Sequence, residues 1–196
     1  MSDMYYQVRT SGGINLVPLT TRLLANRKVF IEGEIEREKA NEFIKQIMLL
    51  NIESTTEPID VLINSPGGDI NAGLLMYDVI QASKAPIRTY CIGTAYSMGA
   101  VLFACGIHGR YMLPHSELML HEPLLGNRVG GNASSIRSIS ESLMETRKKI
   151  NGILAKHTGK TEEEIEKATS FDHYYTAEES VEFSLADKII SFDKIV

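Results

Sequence analysis

The sequence predicts an α/β layered fold built as one domain. Its 196 residues are enough to close a single hydrophobic core without staples. Apolar residues make up 43% and charged residues 23%, the balance of an ordinary globular protein. From residue 58 onward, short β-rich runs alternate with stripes of helical period, a pattern that favours parallel strands joined by right-handed crossovers.

Residues 1–15 read as a flexible arm, because Ser11, Gly12 and Gly13 interrupt any periodicity among mostly polar neighbours. Residues 28–31 form a short β-rich run, and Ala40, Phe43, Ile44, Ile47 and Met48 then fall on one helical stripe. Residues 58–63 (PIDVLI) read as a buried strand, 64–68 as a turn and 69–83 as a helix. Residues 87–92 give the next strand, followed by a turn of small residues and an apolar helix over 98–104. Two short strands, 110–113 and 117–121, flank Pro114, and the glycine-rich stretch 126–131 is expected to be extended or mobile. A long helix over 132–157 carries Ile136, Ile139, Leu143, Ile150, Ile153 and Leu154 as its stripe, with Gly159 just past its end. Two capping boxes, Thr161 with Glu164 and Thr176 with Glu179, start two further helices. Asp172 sits in the link between them, and 188–190 supply a last short strand.

The formal charge of −5 and the lack of a long Lys/Arg run argue against nucleic acid or an anionic membrane as partner. The run Arg147-Lys148-Lys149 reads as a solvated helix face. Cys91 and Cys105 lie in apolar stretches with no zinc or disulfide spacing, so both are expected to be buried free thiols. Residues 1–13 lack the basic and apolar regions of a secretory signal, and no apolar run approaches the roughly 18 residues of a bilayer span. A cytoplasmic location is therefore expected.

Residues 95–99 (AYSMG) make a strand-to-helix turn with small residues around Ser97. The arrangement resembles a nucleophile elbow, with Ala95 in place of the first glycine. A serine at a helix start has unpaired N–H groups and the positive dipole end beside it, which suits a developing oxyanion. The same serine also fits an ordinary helix N-cap. In residues 64–68 (NSPGG), consecutive glycines can turn N–H groups toward a ligand and admit an extended chain, although a tight turn needing positive φ explains them as well. The loop lacks the lysine and spacing of a phosphate-binding P-loop. Of the five histidines, His121 is the best general base, because it ends the apolar run Leu118, Met119, Leu120, where a side chain is rigidly presented. His108, His115, His157 and His173 fit surface or satisfied core positions, as His121 itself could. For a third member, Asp172 competes with Asp187, Asp69 and Glu122, and the residues alone do not choose.

Together these segments resemble the family of Clp protease proteolytic subunits (ClpP). The matching pieces run in family order: INSPGG at 63–68, GTAYSMGA at 93–100, LPHSELMLHEP at 113–123, and TAEES followed by LADKI near the C-terminus. The similarity covers about residues 20–192. It implies a ClpP/crotonase-like layered fold of repeated β-β-α and βαβ units. The arm 1–19 would be axial, 20–196 would be a single peptidase domain, and a handle helix over about 123–158 would protrude. By the same resemblance Ser97 is the nucleophile, His121 the general base and Asp172 its orienting carboxylate, with the Gly68 and Met98 N–H groups as oxyanion hole. Leu125, Gly126, Asn127 and Gly130 would bind an extended substrate as an added strand. The assembly implied is two stacked seven-membered rings, a tetradecamer, enclosing the sites and fed with unfolded polypeptide by an ATP-dependent AAA+ unfoldase. ATP acts on that partner, so no metal, nucleotide or organic cofactor is expected here.

The sequence departs from the family at Tyr96, usually a small residue, and at Glu122, usually glutamine. Ser170 and Phe171 stand where an acid and an arginine are common. These departures point to a divergent paralogue acting in a mixed complex with a second ring type. Two rivals carry different predictions. A crotonase-type enzyme would bind acyl-CoA without labelling by a fluorophosphonate, and a structural ring subunit would form no acyl-enzyme.

Overall fold

The computed structural model describes residues 4–126 and 130–195. Strands β1 (Tyr5–Thr10) and β2 (Gly13–Pro18) form an antiparallel hairpin in which Thr10 faces Gly13. A regular hairpin thus stands where a flexible arm without periodicity was expected. Ser11 and Gly12 are a two-residue hairpin turn, and Gly13 takes φ 122°, a conformation that only glycine adopts without strain. Helix α1 (Leu19–Ala25) follows, and its Leu19 N–H donates to the Met4 carbonyl at 2.9 Å.

The main sheet grows from strand to helix to strand. Its parallel path runs β3 (Lys28–Glu32), β4 (Ile59–Ser65), β5 (Ile87–Tyr96), β6 (Arg110–Met112) and β9 (Lys188–Ile189). Helices α2 (Arg37–Glu53) and α3 (Ile70–Ala82) make the crossovers between β3, β4 and β5. α2 buries Ala40, Phe43, Ile47 and Leu50, so its stripe is rotated from the one predicted and Met48 stays 58% exposed. β4 is buried at every position but Asn64, as expected of a central parallel strand. α4 (Met98–Ala104) occupies the predicted span and is buried along its whole length. Burial pushes the thiols of Cys91 and Cys105 up, to about 11 and about 12, and leaves both inert.

β5 runs further than predicted because it serves two neighbours on one edge. β6 pairs with its first half, Thr89 to Cys91, and β7 (Glu117–Leu120) with its second half, Thr94 to Tyr96. β8 (His173–Tyr175), absent from the sequence reading, lies antiparallel to β7.

Helix α5 (Ala133–Thr158) is 26 residues, hence about 39 Å long. It begins at the Asn132 cap and ends at Gly159, which is in the left-handed conformation with φ 71°. Its buried residues, Ile150, Asn151, Leu154 and Thr158, all lie in the C-terminal third, while Ile136 and Met144 are exposed. The N-terminal part therefore stands away from the body. α6 (Glu162–Thr169) and α7 (Ala177–Glu182) each open with the predicted capping box. No helix among the described residues is long and apolar enough to cross a membrane.

Candidate active site

Strand register alone brings three distant residues into one row. β7 is parallel to β5 with Met119 opposite Tyr96, and the Ser97 N–H extends that ladder by donating to the Met119 carbonyl at 2.8 Å. β8 is antiparallel to β7 with His173 opposite Leu120. Ser97, His121 and Asp172 each lie one residue beyond these pairs. They thus occupy neighbouring strand ends at the carboxyl edge of β5, with strands about 4.8 Å apart.

The side chains complete the row. His121 Nε2 lies 2.7 Å from Ser97 Oγ, and His121 Nδ1 lies 3.4 Å from Asp172 Oδ1. The first contact is a good hydrogen bond. The second is an ion-pair distance slightly beyond one, of the kind that tightens when substrate binds. The imidazole is largely enclosed, whereas the Asp172 side chain is 61% exposed.

Ser97 does not act as a cap. It precedes α4 with φ 53° and ψ −121°, and its side chain makes no capping hydrogen bond. A non-glycine residue at positive φ is costly and persists only where the surroundings enforce it. Here the ladder to Met119 on one side and the buried α4 on the other hold the turn, and the hydroxyl faces the histidine.

Both glycines of residues 64–68 take positive φ, as the tight-turn expectation requires. A Cβ on Gly67 would lie 2.8 Å from Ser97 Cβ and from the Tyr96 carbonyl oxygen, so the loop can approach the serine only as glycine. Gly68 has φ 148° and bridges Ile35, where a side chain would strike the Ile35 backbone. The Ile35 N–H donates to the Gly67 carbonyl at 2.7 Å, and the Asp69 N–H donates to the Ile35 carbonyl at 2.8 Å. These bonds fix the strip and leave the Gly68 N–H, like that of Met98 at the start of α4, without an acceptor among the described residues.

The competitors for the third position are otherwise engaged. Asp69 caps α3 by accepting from the Ala72 N–H at 2.7 Å. Asp187 pairs with Arg110, its Oδ1 2.5 Å from Nη2, and Glu122 pairs with Arg147. Among the histidines, His157 contacts the Tyr77 hydroxyl at 3.1 Å and is pushed down to about 4, chiefly by burial. His173 stacks on Tyr175 with ring centroids 4.3 Å apart, and His108 and His115 sit in turns.

A cleft of about 840 Å³ opens in front of Ser97 and His121, walled by Gly67, Gly68, Ile70 and Leu124. Leu125, half exposed, borders a second groove against α5, and Gly126 lines the first. Gly130 is exposed just ahead of the α5 cap, and Asn127 lies outside the described residues. Tyr96 does not crowd the cleft. Its hydroxyl donates to Glu117 Oε1 at 2.5 Å and its ring meets Tyr174 edge-on, which ties the serine strand to β8. That hydrogen bond and burial push the Tyr96 phenol up to about 12. Neither this tie nor the ion pairs of Arg147 was anticipated from sequence. The unusual residues Tyr96 and Glu122 were the only signals pointing at them.

A family model described as Clp protease matches residues 11–193. That span contains the serine turn, the histidine strand, the glycine strip and the aspartate just before β8. The chain belongs to the Clp protease family and is a ClpP-like peptidase.

Proposed function

We propose that the chain is a serine endopeptidase subunit that cuts unfolded polypeptides into short peptides inside a ring-shaped chamber. The observation that carries this reading is the 2.7 Å contact between His121 Nε2 and a serine hydroxyl held at positive φ with no capping role. Asp172 faces Nδ1, which keeps the proton on that nitrogen and leaves the Nε2 lone pair toward Ser97. Ser97 Oγ attacks the scissile carbonyl carbon while His121 takes the hydroxyl proton. The carbonyl oxygen gains the charge and turns toward the Gly68 and Met98 N–H groups. Collapse breaks the C–N bond, and the imidazolium gives its proton to the leaving amine. Water, deprotonated by the same histidine, then frees the acyl group and restores the hydroxyl.

Leu125, Gly126 and Gly130 would flank the path of an extended chain, which adds as a strand beside them. Seven-membered rings stacked through α5, fed by an AAA+ unfoldase, fit a helix whose N-terminal part stands clear of its own body. With Ser170 and Phe171 in place of a charged pair, and Phe171 85% exposed, a second type of ring is the partner that completes the particle.

The test is labelling by a fluorophosphonate together with peptide hydrolysis, for wild type and Ser97→Ala, beside native mass spectrometry. Label and hydrolysis that both vanish in the variant, on a particle of unchanged mass, support the reading. Tight acyl-CoA binding without label would replace it by the crotonase-type alternative.

A further inference from the structure

We propose that Arg147 is a positioning residue for the triad, joining the strand end that carries His121 to the helix that leads into Asp172. The proposal rests on the peptidase reading above. Arg147 Nε lies 3.0 Å from Glu122 Oε2, and Nη2 lies 2.9 Å from Glu166 Oε1. Glu122 follows His121 directly, and Glu166 belongs to α6. One guanidinium on α5 therefore spans the two chain segments whose side chains must meet.

Three further observations favour positioning over surface decoration. Lys148 and Lys149 of the same basic run are exposed, but the Arg147 side chain is only 19% exposed and turns inward. Its Nε is shielded from solvent and lies against Glu122 Oε2 at 3.0 Å, so the ion pair is an enclosed one. Glu166 is also a node for the link that follows, because its carbonyl accepts from Ser170 Oγ at 2.6 Å, two residues before Asp172.

Asp172 has little else to locate it. It is mostly exposed, and its neighbour Phe171 is more exposed still. The pairing of His173 with Leu120 fixes the backbone on the far side only. The arm from Arg147 through Glu166 and Ser170 fixes the near side. It sets the 3.4 Å separation of carboxylate and imidazole. Arginine suits this role because its planar fork offers separate nitrogens to two carboxylates, which a lysine point charge cannot do.

The test compares kcat, KM, thermal midpoint and the rate of fluorophosphonate labelling across variants of the assembled protein. Arg147→Gln is expected to lower kcat and the labelling rate about tenfold with KM and the thermal midpoint nearly unchanged, as displacement of a catalytic group does. Arg147→Lys is expected to recover only part of that loss. Glu122→Gln combined with Glu166→Gln should reproduce the loss with Arg147 in place, and adding Arg147→Gln should then cost nothing more. An unaltered kcat in Arg147→Gln, a loss that parallels a fall in thermal midpoint, or full additivity of the three changes would overturn the proposal. Should Arg147→Gln fail to fold, the pair of glutamate variants decides, and normal kcat there overturns it. A wild type that takes no label at Ser97 instead removes the peptidase reading itself.

Discussion

Ser97 and His121 sit in an enclosed part of the molecule, and Asp172 in an exposed one. The serine stands between a ladder bond to Met119 and the fully buried α4. The histidine ends a strand whose last three residues are buried. Asp172, by contrast, is 61% exposed on a link between α6 and a three-residue strand, and its contact with the imidazole is 3.4 Å rather than 2.7 Å. On the proposed mechanism, an enclosed pair makes and breaks bonds and a more exposed partner aligns it. Enzymes of this type need the first pair absolutely and the third member by degrees.

The largest test of that division is Ser97→Ala, expected to cut kcat about a millionfold while the thermal midpoint stays the same or rises, because positive φ strain is not worsened. Asp172→Asn should cost about a hundredfold less than that, with KM little changed. Equal losses in steady-state kinetics would show that the exposed carboxylate is as indispensable as the buried serine, and the division would break. Tyr96→Phe removes only the bond to Glu117 and keeps the ring against Tyr174. It should lower stability by about 1 kcal/mol and activity by a few-fold at most, measured by denaturant melts and hydrolysis. The smallest effect is one of pH and lies outside the site. His157 is held at about 4 when folded, below its ordinary value of 6.5, so the unfolded chain binds the proton first. Stability from this group is full above 6.5 and lost as pH falls toward 4. Thermal midpoints of His157→Gln should flatten in that window, with kcat at neutral pH unchanged.

Much of the enclosed half was legible in the sequence, and of the exposed half only the helices that flank Asp172. Helix α4 begins and ends where apolar run and small-residue turn place it, and both capping boxes close as their Thr and Glu spacing requires. Such signals are local. β8 is three residues long and carries no period of its own, so it exists only through pairing with β7. For that reason the residues alone could not separate Asp172 from Asp69, Asp187 or Glu122, and the family resemblance had to do so. The hairpin of β1 and β2 was missed for a different reason. Its Ser11-Gly12 turn was read as a break in pattern, although two alternating segments around a two-residue glycine turn are a hairpin signal. The stripe of α2 was misplaced by a partial turn because Ile44 and Met48 extend its apolar face toward the surface.

β6 and β7 hydrogen-bond to successive halves of the same strand, with 113–116 as the only chain between them. That short link works as a ruler. Leu113 N–H and Ser116 Oγ both clamp onto the Cys91 carbonyl, at 3.1 and 2.7 Å, so its length is pinned at a single point on β5. Gaining or losing one residue there would send every side chain of β7 to the opposite face and aim the imidazole away from the hydroxyl. On the proposed mechanism, the 113–116 link must therefore keep its count if the imidazole is to reach the serine.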